Sequence, residues 1–309
     1  MGKTNLLEAV FLLATGTSHR TNKINELLKL DEKNMRVSGK IDKSSLKNNI
    51  DIKYITGSGF KATVNGSAIK RKNLVKTFSA ILFSPEDIED VKNSPSRTRR
   101  IIDISLSRIN VNYIDDLIKY RKLMKERNAL LKKEITSSGN AKKTLKTYTK
   151  LLLQSAKKVV LQRKEFLTEI NNLMKKEAKN MAFDEVYSIS YDESEYQKSK
   201  SVQKDIEYGH TTWGPHRDKY NFYLGDINLR SYGSRGEVRT AVFIYRLAVW
   251  ELLKRKRNSY PVILLDDIFS ELDYTRSSKI KDRIKGVQSI ITCTEIPKEI
   301  NDGGKIIRL

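Results

Sequence analysis

The chain has 309 residues, enough for two domains with hydrophobic cores of their own. Hydrophobic residues make up 39% and charged residues 31%, a soluble globular balance, and no apolar run approaches the length of a membrane-spanning helix. Lys and Arg number 59 against 37 Asp and Glu, so the formal charge of +22 points to a polyanion partner, either nucleic acid or an anionic membrane surface.

An AT-rich genome, whose codons favour Lys, Asn and Ile, is the competing source of that charge. The single cysteine, Cys293, excludes an internal disulfide, and no CxxC or Cys/His metal spacing exists. A reducing cytoplasm is therefore expected. The N-terminus has no charged-then-apolar signal pattern. A membrane-surface role needs a basic amphipathic helix with bulky apolar anchors, and the basic helices here use their apolar positions for helix pairing. No membrane partner is expected.

In chain order, Asn5 to Ala14 reads as a helix, because Leu6, Leu7, Val10, Phe11 and Ala14 recur at three- and four-residue steps. From about Arg36 to Ile69 the texture is that of a small antiparallel sheet. Ile50 to Ile55 alternates, Gly57 and Gly59 punctuate, and Asn65-Gly66 after Lys61-Ala62-Thr63-Val64 is a hairpin signal. From about Pro85 to Lys200 the chain reads as mostly helical. Leu152, Ala156, Val159, Phe166, Ile170 and Leu173 keep a coiled-coil-like spacing interrupted only by Arg163. The polar break Thr136 to Asn140 separates this helix from an earlier one, Tyr113 to Glu134, which predicts an antiparallel arm.

Residues 121 to 180 hold 17 Lys/Arg and five Glu, a net +12, so more than half the net charge lies in a fifth of the chain. A solvated helix face is the bland explanation for any single lysine there; the clustering favours a binding surface, with the lysines of 142–164 as expected DNA contacts. After Tyr208 the texture is α/β. Tyr220 to Leu224 reads as a strand, Glu237 to Leu253 as a helix, Val262 to Leu265 as a buried strand and Ser289 to Thr292 as another.

Three pieces carry chemistry. Gly2-Lys3-Thr4 before a helix is the end of a phosphate loop, G-x-x-x-x-G-K-[ST]. In such a loop backbone N–H groups wrap phosphates, the lysine reaches the β/γ oxygens and the hydroxyl holds Mg²⁺. Val262 to Asp267 is a strand with two carboxylates at its carboxyl end, where ligands of open α/β sheets sit. The first carboxylate suits a hold on Mg²⁺ and the second suits activation of a water. Ser231 to Thr240 leads into a helix whose N-terminus can take an anion. Each piece alone has a plain reading: a chance tripeptide, a strand ending in a polar turn, and N-capping by Ser234.

Their order is that of ABC-type ATPases, and their separation by a helical insert resembles the chromosome-maintenance branch. The resemblance narrows to the RecF family. Gly2 to Ala9 with Ala14 to Arg20 resembles the opening of its head. Phe83 to Asp87, Ser94-Pro95, Arg99-Arg100, Asp103, Tyr120-Arg121 and Arg127 to Leu131 resemble its middle motifs. Gly214 to Asp218 and Leu264 to Asp273 resemble its later blocks, the last quite specifically. The match covers nearly the whole chain. The family has roughly forty more residues before this point, with the first strands and most of the phosphate loop, so Met1 is expected to be an internal methionine of a longer natural protein. The family signature reads close to Gly-Ser-Gln-Gly-Gln-Gln-Arg. Here Arg235, Glu237 and Val238 replace the three glutamines, while Ser234, Gly236 and Arg239 remain.

The resemblance implies an ABC/Rad50-like α/β ATPase head, residues 1–83 and 209–309, with an inserted helical, coiled-coil-like arm, residues 84–208. It implies ATP and Mg²⁺ as ligands, and a homodimer with ATP between two subunits. Gly2, Lys3, Thr4, Asn5, Ser234, Gly236 and Asp273 would bind nucleotide, Thr4 and Asp266 the metal, and Asp267 would activate the attacking water. A weak ATPase is expected if the natural protein has a complete phosphate loop. The family's role is recombinational repair, replication restart and the SOS response: loading recombinase at single-strand gaps, with DNA and the RecR and RecO mediators as partners. The alternative is a non-catalytic DNA-binding or scaffold protein, because the phosphate loop is incomplete.

Overall fold

A computed structural model describes residues 2–21, 23–43, 46–132, 139–196, 198–269, 274–294 and 305–307. The first half of the chain forms α1 (Lys3–Thr15), β1 (Asn34–Lys43), β2 (Leu46–Ile55), β3 (Gly59–Val64), β4 (Ser67–Ala68), α2 (Leu74–Thr77), β5 (Ala80–Phe83), α3 (Pro85–Asn93), α4 (Pro95–Ile109) and α5 (Val111–Lys132). Then follow α6 (Gly139–Asn180), β6 (Tyr187–Asp192), α7 (Lys198–Tyr208), β7 (Lys219–Leu224), β8 (Ile227–Asn228) and α8 (Leu229–Tyr232). The chain closes with α9 (Arg235–Arg257), β9 (Val262–Asp266), α10 (Tyr274–Ile284) and β10 (Ser289–Thr292). Two compact units result. The first comprises Met1–Glu89, Lys176–Asp184 and Val242–Leu309, and the second Asp90–Lys175 and Glu185–Ala241.

The first unit holds two sheets. One is antiparallel in the order β1-β2-β3-β4. Asn65 (φ 50) and Gly66 (φ 83) both occupy the left-handed region, which a two-residue hairpin turn requires at both central positions, and Val64 pairs with Ser67 across it. Ile50, Ile52 and Ala62 bury the inner face against Leu12, Leu13 and Leu74. The other sheet is parallel, β10-β9-β5. β5 and β9 are buried along their whole length, as parallel strands covered on both faces must be, and they read as continuous apolar runs. α9 contributes a mostly apolar stretch, Val242 to Leu253, broken by Arg246 and Glu251, within which Phe243 packs on Phe83 with ring centroids 4.7 Å apart. The indole of Trp250 donates to the Pro261 carbonyl at 2.9 Å.

The second unit is helical around an antiparallel sheet, β6-β7-β8. α5 and α6 run antiparallel. Arg163 Nε donates to Tyr113 Oη, Gln162 Nε2 to Asp116 and Arg127 Nε to Thr149, so partners on one helix descend as those on the other rise. Every position of the predicted stripe from Leu152 to Leu173 is buried, Arg163 among them at 1% exposure. The expectation of mainly helix from Pro85 to Lys200 misses β6, whose Tyr187 and Ile189 face inward while its outer edge is closed by Asn171. The carboxamide of Asn171 accepts from Ile189 N at 2.9 Å and donates to Ile189 O at 3.0 Å. α6 starts inside the predicted break, at Gly139. Among the described residues no helix is long and apolar enough to cross a membrane.

Candidate functional site

In the first unit the parallel sheet fixes the chemistry. β9 lies between two parallel neighbours, so its polar groups emerge at the carboxyl end, as Asp266 and Asp267. Thr292 of β10 stands opposite Asp266 in register. Its hydroxyl donates to Asp266 Oδ1 at 2.6 Å, and the Thr4 hydroxyl donates to the same oxygen at 3.1 Å. Lys3 Nζ donates to the backbone carbonyl of Cys293 at 2.7 Å. The start of α1 is thereby tied to the carboxyl ends of β9 and β10. Asp267 follows with φ 46, a left-handed conformation that Asp and Asn tolerate better than most residues. Its N–H donates to the carbonyl and hydroxyl of Thr292, both at 3.1 Å.

The helix start itself fits an anion. Gly2 sits at φ 111 before Lys3 and brings no capping side chain to the first turn. A cation on Lys3, a hydroxyl on Thr4 and a carboxylate on Asp266 lie beside it, and the Asn5 side chain is exposed on the same turn. A hard divalent ion such as Mg²⁺ keeps several waters and takes one or two protein oxygens together with phosphates. Thr4 Oγ1 and Asp266 Oδ1 are donors of that kind and are already in contact. Sequence reasoning missed Thr292 and Cys293. The only available signal for Thr292 was a polar residue closing an otherwise apolar strand, and Cys293 takes part through its backbone.

Ser234 and Gly236 stand in the second unit at the start of α9. Ser234 and Glu237 form a capping box. The Ser234 hydroxyl accepts from Glu237 N at 3.3 Å, while the Glu237 carboxylate accepts from Ser234 N at 2.8 Å and from its hydroxyl at 2.9 Å. Thr240 donates to the Gly236 carbonyl at 2.9 Å. Asp273 lies outside the described residues.

Other motif residues organise the framework. In the first unit Asp87 accepts two bonds from Arg246, at 2.6 and 3.1 Å. In the second, Arg163 joins Asp103 and Asp218, each at 2.8 Å, and donates to the Pro215 carbonyl at 2.7 Å. Asp218 also accepts from Tyr191 Oη and from Ser194 N. Arg127 is paired with Asp205 at 2.7 Å, with both side chains fully buried. His216 donates from Nε2 to the Thr211 carbonyl at 3.1 Å and so accepts at Nδ1 from Tyr120 Oη at 2.7 Å. Burial lowers the His216 pKa to about 4 and raises that of the Tyr120 phenol. Gly214, at φ 101, leaves room for that phenol: a Cβ there would meet Tyr120 Oη at 2.7 Å.

A parallel sheet with a lysine-threonine helix start and a carboxylate strand, interrupted in sequence by helical elements, is the architecture of an ABC/Rad50-like ATPase head with a helical insert. No family model matches the chain. It is 37% identical over 314 residues to the DNA replication and repair protein RecF of Ruminiclostridium cellulolyticum, covering 95% of this chain and 84% of that protein. It is 35% identical over 309 residues to the RecF of Lachnoclostridium phytofermentans, covering 97% and 86%. A solved structure of the recombination mediator protein RecF-ATP in the RecFOR pathway superposes with a TM-score of 0.85 at 33% identity, covering 95% of this chain and 83% of that one. The chain belongs to the RecF family.

Proposed function

We propose that this RecF-family chain is an ATP-controlled DNA-binding protein of recombinational repair and replication restart. The observation that carries the reading is the contact of Thr4 with Asp266 beside Lys3, at the carboxyl ends of parallel strands. The names of its relatives, a DNA replication and repair protein and a mediator solved with ATP, support it. By the family resemblance the head takes residues 1–83 and 209–309 and the arm 84–208, whereas in the compact units residues 209–241 group with most of the arm and 176–184 with most of the head.

In this mechanism Lys3 contacts the β and γ phosphates, and Gly2 and Asn5 line the same turn. Thr4 and Asp266 would hold Mg²⁺, which would neutralise charge on the phosphate oxygens. Asp267 accepts a proton from the water that attacks the γ-phosphorus as the bond to the leaving ADP oxygen breaks. Ser234 and Gly236 contact the γ-phosphate of a second subunit. ATP thus favours a closed homodimer, and hydrolysis removes the phosphate bridging its two surfaces. The closed dimer holds DNA at single-strand gaps through phosphate contacts, and RecR and RecO act with it.

The test is Asp267→Asn in the native protein. Asn tolerates the left-handed backbone at this position, so the fold is kept. ATP binding and ATP-dependent dimerisation should persist while turnover falls by roughly 10²–10⁴-fold, the usual contribution of a general base. Wild-type turnover overturns the role of Asp267. Loss of nucleotide binding in Lys3→Ala and Thr4→Ala is expected in parallel, and unchanged binding in both overturns the site.

A further inference from the structure

A groove of about 2080 Å³ opens along α6 within the second unit. Small-molecule pockets span roughly 300–1,000 Å³, so this volume suits a polymer segment. One wall carries the exposed lysines Lys142, Lys143, Lys146, Lys150 and Lys157, with Lys132 at its end. Among the described residues the neighbouring ion pairs are Lys122–Glu126 and Lys164–Glu193, so the wall lysines carry their charge without a described acidic partner. The floor is aliphatic, from Leu145, Leu153, Ala156 and Val160 of α6, and the facing wall adds Val202 and Ile206 of α7. Ile206 is 54% exposed and so is open to a ligand in the groove. Of the two carboxylates in the lining, Glu193 is paired with Lys164 at 2.7 Å and Glu195 is exposed, against six lysines.

A single nucleic-acid strand seeks open aromatic faces on which to stack its bases. Of the two aromatic residues here, Tyr196 is half-buried and Trp213 offers no open face. Trp213 is 2% exposed, with Tyr196 edge-on at 4.7 Å, the Arg127 guanidinium 5.6 Å from its ring centroid and its N–H bound to Asp205. An aliphatic floor beside a lysine wall matches a helix with one apolar and one acidic face.

We propose that this groove binds an acidic amphipathic helix of a protein partner, its apolar stripe on the floor and its carboxylates against the lysines of α6. The probe is a labelled peptide of about 18 residues, some five turns, with Leu at i, i+3, i+4 and i+7 and Glu elsewhere. Its control is a peptide of the same composition in scrambled order. Anisotropy with the full chain should show the patterned peptide binding roughly tenfold more tightly than the control.

Ile206→Ser changes no charge and lies on an exposed face, so it should weaken peptide binding while leaving duplex DNA binding as in wild type. Lys146→Glu with Lys150→Glu tests the wall separately from the floor and should weaken the peptide further as salt falls. Equal affinity for the scrambled peptide, or no loss in Ile206→Ser, overturns the proposal. Displacement of the peptide by oligothymidine, with Ile206→Ser weakening both equally, assigns the groove to nucleic acid instead.

Discussion

Ser234 has both its N–H and its hydroxyl engaged by the Glu237 carboxylate. Those are the donors that a phosphate at this helix start would use, so Glu237 already places negative charge where the proposed γ-phosphate contact is made. The same charge favours the helix dipole, which contributes about 0.3–1 kcal/mol at a first-turn acidic residue. Glu237→Gln keeps the capping geometry and removes the charge. It should lower thermal stability slightly, yet reduce the ATP concentration for half-maximal dimerisation by roughly tenfold, about 1.4 kcal/mol. Light scattering across an ATP titration reads the second effect, and an unchanged midpoint removes Ser234 from phosphate contact. A second residue-scale effect concerns acid. Burial lowers the pKa of His216 to about 4 from its ordinary 6.5, so between those values the unfolded chain takes up a proton that the folded chain refuses. The contribution of His216 to stability is complete above pH 6.5 and is lost as pH falls toward 4. In His216→Gln, whose amide can donate to Thr211 and accept from Tyr120, the urea midpoint should fall less between pH 7 and pH 5 than in wild type.

The stripe of α6 is where pattern and packing agree most closely. Its apolar positions and the interrupting Arg163 all turn inward, because the 4-3 spacing places them on one face. What spacing cannot reveal is why an arginine is tolerated there: its carboxylate partners, Asp103 and Asp218, lie 60 and 55 residues away. Arg163→Met leaves Asp218 buried without its cation and Asp103 with only Arg121, at 3.5 Å. It should cost about 3–5 kcal/mol in urea unfolding, the usual penalty for breaking one side of a buried pair. Adding Asp103→Asn and Asp218→Asn should recover part of it, and a cost below about 1 kcal/mol in the single variant would show that the network does not organise the unit. The same limit explains the missed strands. β5 is four residues of plain apolar run, too short to separate from a helix by period. β6 alternates over six residues, but its edge is satisfied by the side chain of Asn171 on the preceding helix α6, 18 residues earlier, rather than by a strand. In the candidate site, Lys3, Thr4 and the two carboxylates were legible because their chemistry is carried by side chains in a local pattern. The contribution of Cys293 was not legible, because it is made by a backbone carbonyl that any residue could offer.

Across the whole molecule the excess of +22 is uneven, with +12 in residues 121 to 180. Codon bias alone scatters lysines without regard to surface, whereas a nucleic-acid surface places them where phosphates can reach. The two sources differ in salt dependence. Each phosphate neutralised on duplex DNA contributes about 0.9 to the slope of log affinity against log salt. Lys125 of α5 and Lys158 of α6 are exposed, lie outside the groove lining and form no ion pair with a described residue. If both contact phosphates, replacing the pair by Gln should reduce the magnitude of the slope by about 1.8 and weaken every duplex sequence alike, since phosphate contacts position without reading bases. Anisotropy titrations from low to physiological salt measure this directly. An unchanged slope in the double variant, with wild-type DNA affinity, would make these lysines a solvated face and move the DNA surface elsewhere on the chain. A reduced slope that is the same with and without ATP would keep the arm as a DNA surface but separate it from the nucleotide-driven dimer. The ATP arm of the titration therefore decides whether the two halves of the proposed function are coupled.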